Sequence, residues 1–260
     1  MSLPVPAESL KLSSRAFEPE GSPFCSFVID DFLPRPLYEA LDASFPDDPE
    51  RFRANSEGKL GLRSSEAPSA FDALCREHRE WRELIGALSH DDFVLDVRRA
   101  LVPALVRARG IAGHKRWLND TDRRVSNVPP RYWLFEPVRA TFQLSRMPAG
   151  AEVLPHTDAP RKLVSLVLYF SDPDWRPEWG GATEFFAAPP GLAAGATERV
   201  AFDRLEPLRR ADFRPNRLVG FVRSPDSWHG VRPLACPTGR ARRALLINLK
   251  RLKWSKRHHP

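Results

Sequence analysis

A mainly β fold with a helical N-terminal half, a jelly-roll barrel buttressed by helices, is predicted by three features of the sequence. From residue 132 onwards, seven or eight short β-like runs alternate with clusters of Pro, Gly and Asp, the rhythm of an all-β barrel or sandwich. Ahead of them, apolar residues recur at steps of three and four, the period of amphipathic helices. Proline, 26 of 260 residues, is about twice its usual share and suits turns and sheet edges better than a helix bundle.

The elements follow in order. Residues 1–22 are rich in Pro, Ser and Glu without periodicity, and an irregular lead-in is expected. Residues 23–130 form a mostly helical support region of the same domain. Within it, 24–32 reads as a strand, and Pro36 at a first helical turn with Leu37, Tyr38, Leu41 and Phe45 on one face reads as a helix ended by Pro46. Residues 47–66 are polar and expected to be a loop. Phe71, Leu74, Cys75, His78, Trp81, Leu84, Ile85 and Leu88 predict one amphipathic helix, with His78 packed in its core face. Ser89 is placed to cap a following helix that is bent at Pro103 and stopped at Gly110. Residues 113–130 form a polar connector containing Trp117. The barrel, residues 131–252, has strands at 140–147, 152–158, 163–170, 183–187, 218–223, 228–234 and 242–250. The segment 163–170 is nearly all apolar, as in a strand covered on both faces. Residues 253–260 are a basic tail.

Composition bounds the function. With 42% hydrophobic residues the chain has ample core, and global disorder is excluded. The net charge of +7 and pI near 9.7 are partly terminal, since Lys250, Arg251, Lys253, Lys256 and Arg257 crowd the last eleven residues. No nucleic-acid motif accompanies them, so a nucleic-acid partner is not expected. Cys25, Cys75 and Cys236 are far apart, which indicates neither a disulfide framework nor a zinc site. With no signal core and no apolar run long enough to span a bilayer, a cytoplasmic protein without membrane contact is expected.

The chemistry centres on His156-Thr157-Asp158. The pattern His-x-Asp is weak alone: with 7 His and 17 Asp, chance supplies it in about one such chain in two. A second copy, His90-Asp91-Asp92, falls at a helix start, where positions i and i+2 diverge, and reads as a cap. On a strand, residues i and i+2 share a face, so His156 and Asp158 can chelate one ion. A third ligand from a second imidazole completes the two-His, one-carboxylate set of non-haem Fe(II) sites. Of the later candidates, His258 and His259 lie in the charged tail, and His229 opens a β-like segment behind Trp228, which favours His229.

Taken together, His156-Thr157-Asp158, the run 163–172, Gly180-Gly181-Ala182-Thr183-Glu184-Phe185-Phe186, Ser227-Trp228-His229-Gly230-Val231 and Arg242-Arg243-Ala244-Leu245 resemble the 2-oxoglutarate and Fe(II)-dependent oxygenases of the prolyl-hydroxylase type. The resemblance spans about residues 131–252. It implies a double-stranded β-helix, Fe(II) held by His156, Asp158 and His229, and 2-oxoglutarate and O2 as cosubstrates. The expected activity is hydroxylation with release of succinate and CO2. An arginine near the end of the core would pair with the distal carboxylate of 2-oxoglutarate by a bidentate geometry that lysine cannot match. Arg242 takes that place, thirteen positions after His229, with Arg243 the alternative and Arg240 a weaker one. Tyr169 matches a tyrosine that donates to the same carboxylate in the family. Met147-Pro148 stands where many relatives have Tyr-Pro, with Gln143 or Ser145 as the compensating residue. Arginine in place of the prolyl hydroxylases' usual lysine argues against a prolyl substrate, and Asp158, which fills the ligand place a halide would take, favours hydroxylation over halogenation. Arg161 and Trp179 are candidates to meet a small-molecule or peptidyl substrate. A non-catalytic jelly-roll binding module and a nucleic-acid demethylase of the same superfamily are the alternatives.

Overall fold

The structure is a computed structural model that describes residues 10–15, 23–119, 132–189, 192 and 199–252. The predicted basic tail, much of the lead-in and most of the 113–130 connector lie outside those residues. Four helices and the strands that cover them come first: β1 (Ser26–Ile29), α1 (Arg35–Ala43), β2 (Arg53–Ala54), β3 (Leu60–Arg63), α2 (Pro68–Glu77), α3 (Arg79–Ser89), α4 (Asp91–Arg109) and β4 (Arg116–Asn119). The barrel strands follow: β5 (Phe135–Pro148), β6 (Val153–His156), β7 (Lys162–Phe170), β8 (Thr183–Ala187), β9 (Glu206–Ala211), β10 (Leu218–Val222), β11 (Trp228–Val231) and β12 (Ala241–Arg251). They form an eight-stranded sheet in the order β1-β10-β7-β12-β5-β3-β2, with β4 beside β5, and a four-stranded sheet in the order β6-β11-β8-β9. All pairings are antiparallel except β4 with β5. This is the predicted jelly roll backed by helices.

Period-two alternation sorts each central strand between two cores. On β7, Val164, Leu166, Leu168 and Phe170 join the cluster beneath the helices, while Tyr169 packs inside the barrel with Phe185, Phe213, Val219 and Phe221. On β12, Leu245, Ile247 and Leu249 face the helices and Ala244 faces the barrel interior. Trp81 of α3, fully buried, lies between Phe45 and Phe170 with ring centroids 5.9 and 5.7 Å away, so it joins the helical layer to the large sheet.

Several expectations are corrected. Residues 47–66 hold the β2–β3 hairpin, which extends the large sheet through β5. The single helix expected from Phe71 to Leu88 is two helices, parted at His78, whose backbone is extended (φ −124°, ψ 110°). Phe71 and Leu74 stay buried on α2, and Trp81, Leu84 and Leu88 on α3, so the apolar spacing runs through the break without revealing it. His78 is partly exposed beside Glu80 rather than packed in the core. The cap of α4 is His90 rather than Ser89: its Nδ1 accepts from the Asp92 N–H at 3.3 Å, whereas the Ser89 hydroxyl donates to the Ile85 carbonyl at 2.7 Å. The His90 and Asp92 side chains meet there at 3.3 Å, but both are exposed and no third ligand joins them among the described residues. Leu10 and Leu12 of the lead-in are buried in the helix-side core, and the buried Asp96 of α4 accepts from the Ser13 N–H and hydroxyl. No helix among the described residues is long and apolar enough to cross a membrane.

Gly220 sets the seating of β1 on β10. It lies directly opposite Phe27, and a Cβ there would come within 2.1 Å of the buried Phe27 ring. Gly220→Ala is therefore expected to destabilise the fold by about 1–3 kcal/mol, the usual cost of overpacking, read from the urea midpoint.

Candidate active site

Pairing of β6 with β11 in the four-stranded sheet brings His156 and His229 side by side. The residues are register partners at the junction of β6 and β11, and their ring centroids are 4.5 Å apart. Each Nδ1 lies 2.9 Å from a backbone carbonyl, that of Leu154 for His156 and that of Ser227 for His229. A carbonyl oxygen only accepts, so Nδ1 carries the proton in both rings and Nε2 presents a lone pair. Burial pushes the His156 imidazole down to about 3, aided by the neighbouring His229, and burial lowers His229 as well. Both rings are neutral at physiological pH, the form that binds a metal.

Asp158 completes the group, but by a different route from the one the sequence suggested. β6 ends at His156, so Asp158 sits in the following loop rather than on the strand. Its position is fixed by hydrogen bonds: Lys162 Nζ donates to Oδ1 and the Ser165 hydroxyl to Oδ2, each at 2.5 Å, and Arg223 Nε donates to the Asp158 carbonyl at 3.0 Å. Burial would raise this carboxyl, but Lys162 and the two imidazoles outweigh it and hold Asp158 below the usual carboxylate range. One ligand atom from each of His156, Asp158 and His229 falls within 4.8 Å of the others, and this is the only such group of three among the described residues. Two neutral imidazoles and one carboxylate suit a divalent transition metal with open coordination positions.

These residues line one cavity of about 270 Å³ together with Arg242, Thr183, Gln143 and Asn248. Arg242 is buried and projects inwards from β12: Nε donates to the Gly181 carbonyl at 2.6 Å and Nη2 to the Thr183 hydroxyl at 3.3 Å. Its guanidinium stands over the Tyr169 ring at 4.8 Å and the Phe213 ring at 5.5 Å. No carboxylate pairs with it among the described residues, and burial lowers its affinity for the proton. A buried guanidinium held only by neutral groups is the observation that calls for an anionic ligand.

Arg243 points to the other face of β12, where Asp172 at 2.7 Å and Asp42 at 3.0 Å pair with it. Arg240 is paired with Asp172 and Asp174. Neither lines the cavity. Tyr169 lies one layer behind the cavity: its hydroxyl donates to Thr183 Oγ1 at 2.6 Å and accepts from the Thr183 N–H at 3.2 Å. It therefore orients Thr183 and stacks on Arg242 rather than reaching into the cavity itself. Gln143 lines the cavity and accepts from Arg63 Nε at 3.0 Å. Ser145 is buried with its hydroxyl unpartnered. Arg161 is exposed, and Trp179 packs edge-on against Trp175 beside Met147 and Val231; neither lines the cavity.

The hairpin residues Asn55, Glu57, Lys59 and Arg63, in a segment expected to be a loop, form one wall. The signal was there in Lys59-Leu60-Gly61-Leu62-Arg63, where polar and apolar residues alternate with period two. Gly61 passes so close to Gln143 that a Cβ would stand 2.6 Å from its amide nitrogen. At the tip, Asn55 Oδ1 accepts from the Lys59 N–H at 2.8 Å and Gly58 takes a positive φ of 72°. Glu57 ties this tip to the small sheet, accepting from Arg199 and from the Leu154 N–H.

Residues 142–250, the segment that carries the three ligand candidates and the buried arginine, match the 2OG-Fe(II) oxygenase superfamily. That segment, which holds most of the barrel, is therefore similar to the 2-oxoglutarate- and Fe(II)-dependent oxygenases. Solved structures that share the chain's fold include the following two. A Pseudomonas putida prolyl-4-hydroxylase is 18% identical with a TM-score of 0.50, over 89% of this chain and 95% of that one. A non-haem alpha-ketoglutarate-dependent carbocyclase, SnoK from nogalamycin biosynthesis, is 13% identical with a TM-score of 0.50, over 96% of this chain and 87% of that one. Among curated proteins, none is similar enough to register as a relative.

Proposed function

We propose that His156, Asp158 and His229 hold Fe(II), that Arg242 anchors the distal carboxylate of 2-oxoglutarate, and that the enzyme hydroxylates a small-molecule or peptidyl substrate. The observation that carries this reading is a His-Asp-His group sharing one cavity with a buried guanidinium that has no carboxylate partner among the described residues. Bound there, iron and 2-oxoglutarate would supply the oxidising chemistry, with the keto acid converted to succinate and CO2 and one oxygen atom delivered to substrate.

The chain's part is to bind, orient and exclude water. The Leu154 and Ser227 carbonyls fix the tautomer and the aim of both imidazoles. Ser165 and Lys162 keep Asp158 ionised and turned towards them. Thr183, itself oriented by Tyr169, and the Gly181 carbonyl hold the Arg242 fork in place before any ligand arrives, which lowers the ordering cost of binding. Phe221, Leu246 and Val231 give the cavity apolar walls.

The test is succinate formation by purified protein with Fe(II), 2-oxoglutarate and O2, run alongside an untargeted screen of metabolites and peptides for a gain of one oxygen. Iron-dependent succinate release is expected. Failure to bind iron at all would leave a non-catalytic barrel and overturn the reading.

A further inference from the structure

We propose that the substrate carries a carboxylate or phosphate group and that Lys59, backed by Arg63 on the same hairpin, binds it. The inference rests on the reading above and adds the substrate's chemical class to it.

Charge balance in the cavity points this way. Five cationic side chains line it, Lys59, Arg63, Lys162, Arg199 and Arg242, against the two carboxylates Glu57 and Asp158, an excess of three positive charges. Fe(II) and the 2-oxoglutarate dianion cancel one another, so the cosubstrates leave the excess unchanged. Most of the cations are accounted for locally. Arg199 pairs with Glu57, Lys162 with Asp158, and Arg242 takes the distal carboxylate in the proposed complex. Arg63 donates to Gln143 and pairs with the exposed Glu66 outside the cavity wall. Lys59 is left: its ammonium has no hydrogen-bond or ion-pair partner among the described residues.

The placement of Lys59 is built into the hairpin. Gly61 and Arg63 share one face of β3 by period-two alternation, the close seating of Gly61 on Gln143 turns that face into the barrel, and Lys59, one residue ahead of the strand, lines the same cavity. Its backbone is pinned at both ends of the turn, Asn55 accepting from the Lys59 N–H and the Asn55 N–H donating to the Lys59 carbonyl. The environment is costly for a cation: burial and the nearby Arg242, Lys162 and Arg63 push the Lys59 ammonium down to about 7. An anion between Lys59 and Arg63 would relieve that repulsion and restore the charge.

Inorganic phosphate and acetate serve as probes, with Mn(II) in place of iron and saturating 2-oxoglutarate. Paramagnetic broadening of the phosphate 31P and acetate 1H signals reports binding near the metal; the first arm alone reports a phosphate site, the second a carboxylate site. Saturable broadening of at least one probe is expected in the wild type. It should weaken about tenfold or more in Lys59→Gln and be retained in Lys59→Arg, while 2-oxoglutarate affinity measured by calorimetry stays within about twofold. Broadening that is absent in the wild type, or unchanged in Lys59→Gln, overturns the proposal while metal and 2-oxoglutarate binding leave the functional reading standing. A selective loss of 2-oxoglutarate affinity in Lys59→Gln also overturns it, by assigning Lys59 to the cosubstrate. If the wild type binds neither Mn(II) nor 2-oxoglutarate, the functional reading falls and this inference with it.

Discussion

Replacing Asp158 by alanine is expected to abolish succinate release and to weaken divalent-metal binding by more than about 100-fold, since loss of an outer partner of a ligand already costs about 10–100-fold. Two effects add. The variant loses the only carboxylate of the three-residue group, and it leaves the Lys162 ammonium facing the metal position with no anion between. A cation would then have to bind next to a cation. The fold should survive, because Lys162 is about a fifth exposed and can turn to solvent. Metal titration by calorimetry and thermal unfolding separate the two consequences. Tight metal binding retained in Asp158→Ala would mean that the ion is held elsewhere.

The second expected effect distinguishes two adjacent arginines. Arg242→Leu should weaken 2-oxoglutarate binding by about 2–5 kcal/mol, the cost of truncating one partner of a buried charge pair, or roughly 30-fold to several thousand-fold. The same change should leave the ligand-free protein as stable as before or more so, because it removes a buried charge that no carboxylate compensates. Arg243→Leu should do the reverse. It strands Asp42, leaves Asp172 with Arg240 alone and lowers stability, while 2-oxoglutarate affinity stays near that of the parent. The measurements are the KM for 2-oxoglutarate and the urea midpoint of each variant. Equal loss of affinity in both would contradict the assignment of Arg242 as anchor.

Much of this was legible in the sequence because it is local. Strand periodicity marks β7, β8, β10 and β12 close to their ends, and the thirteen-residue gap from His229 to Arg242 left Arg243, and more weakly Arg240, open as alternatives. Strand parity decides how neighbours divide, but parity needs the register: Arg242 faces inwards because Ala244 does, and Ala244 faces inwards because it pairs with Tyr169 across the sheet. The break at His78 and the shift of the α4 cap from Ser89 to His90 left no mark on apolar spacing, which runs through both. The hairpin carrying Lys59 was hidden for another reason. Its strands are short and polar on the inner face, so they read as loop until β5 supplies a partner.

The sequence by itself determined the class of barrel, the presence of a His-Asp-His set and the nearness of an arginine to the last strand, since each depends on residue type and spacing along one chain. Only the tertiary structure decided that Asp158 is held by Ser165 and Lys162 rather than by the strand, that the Tyr169 hydroxyl bonds Thr183 instead of lining the cavity, and that a distant hairpin brings to the cavity a lysine unpaired among the described residues. Those outcomes depend on which side chains meet across sheets and on where burial leaves a charge uncompensated, and neither is a property of local spacing.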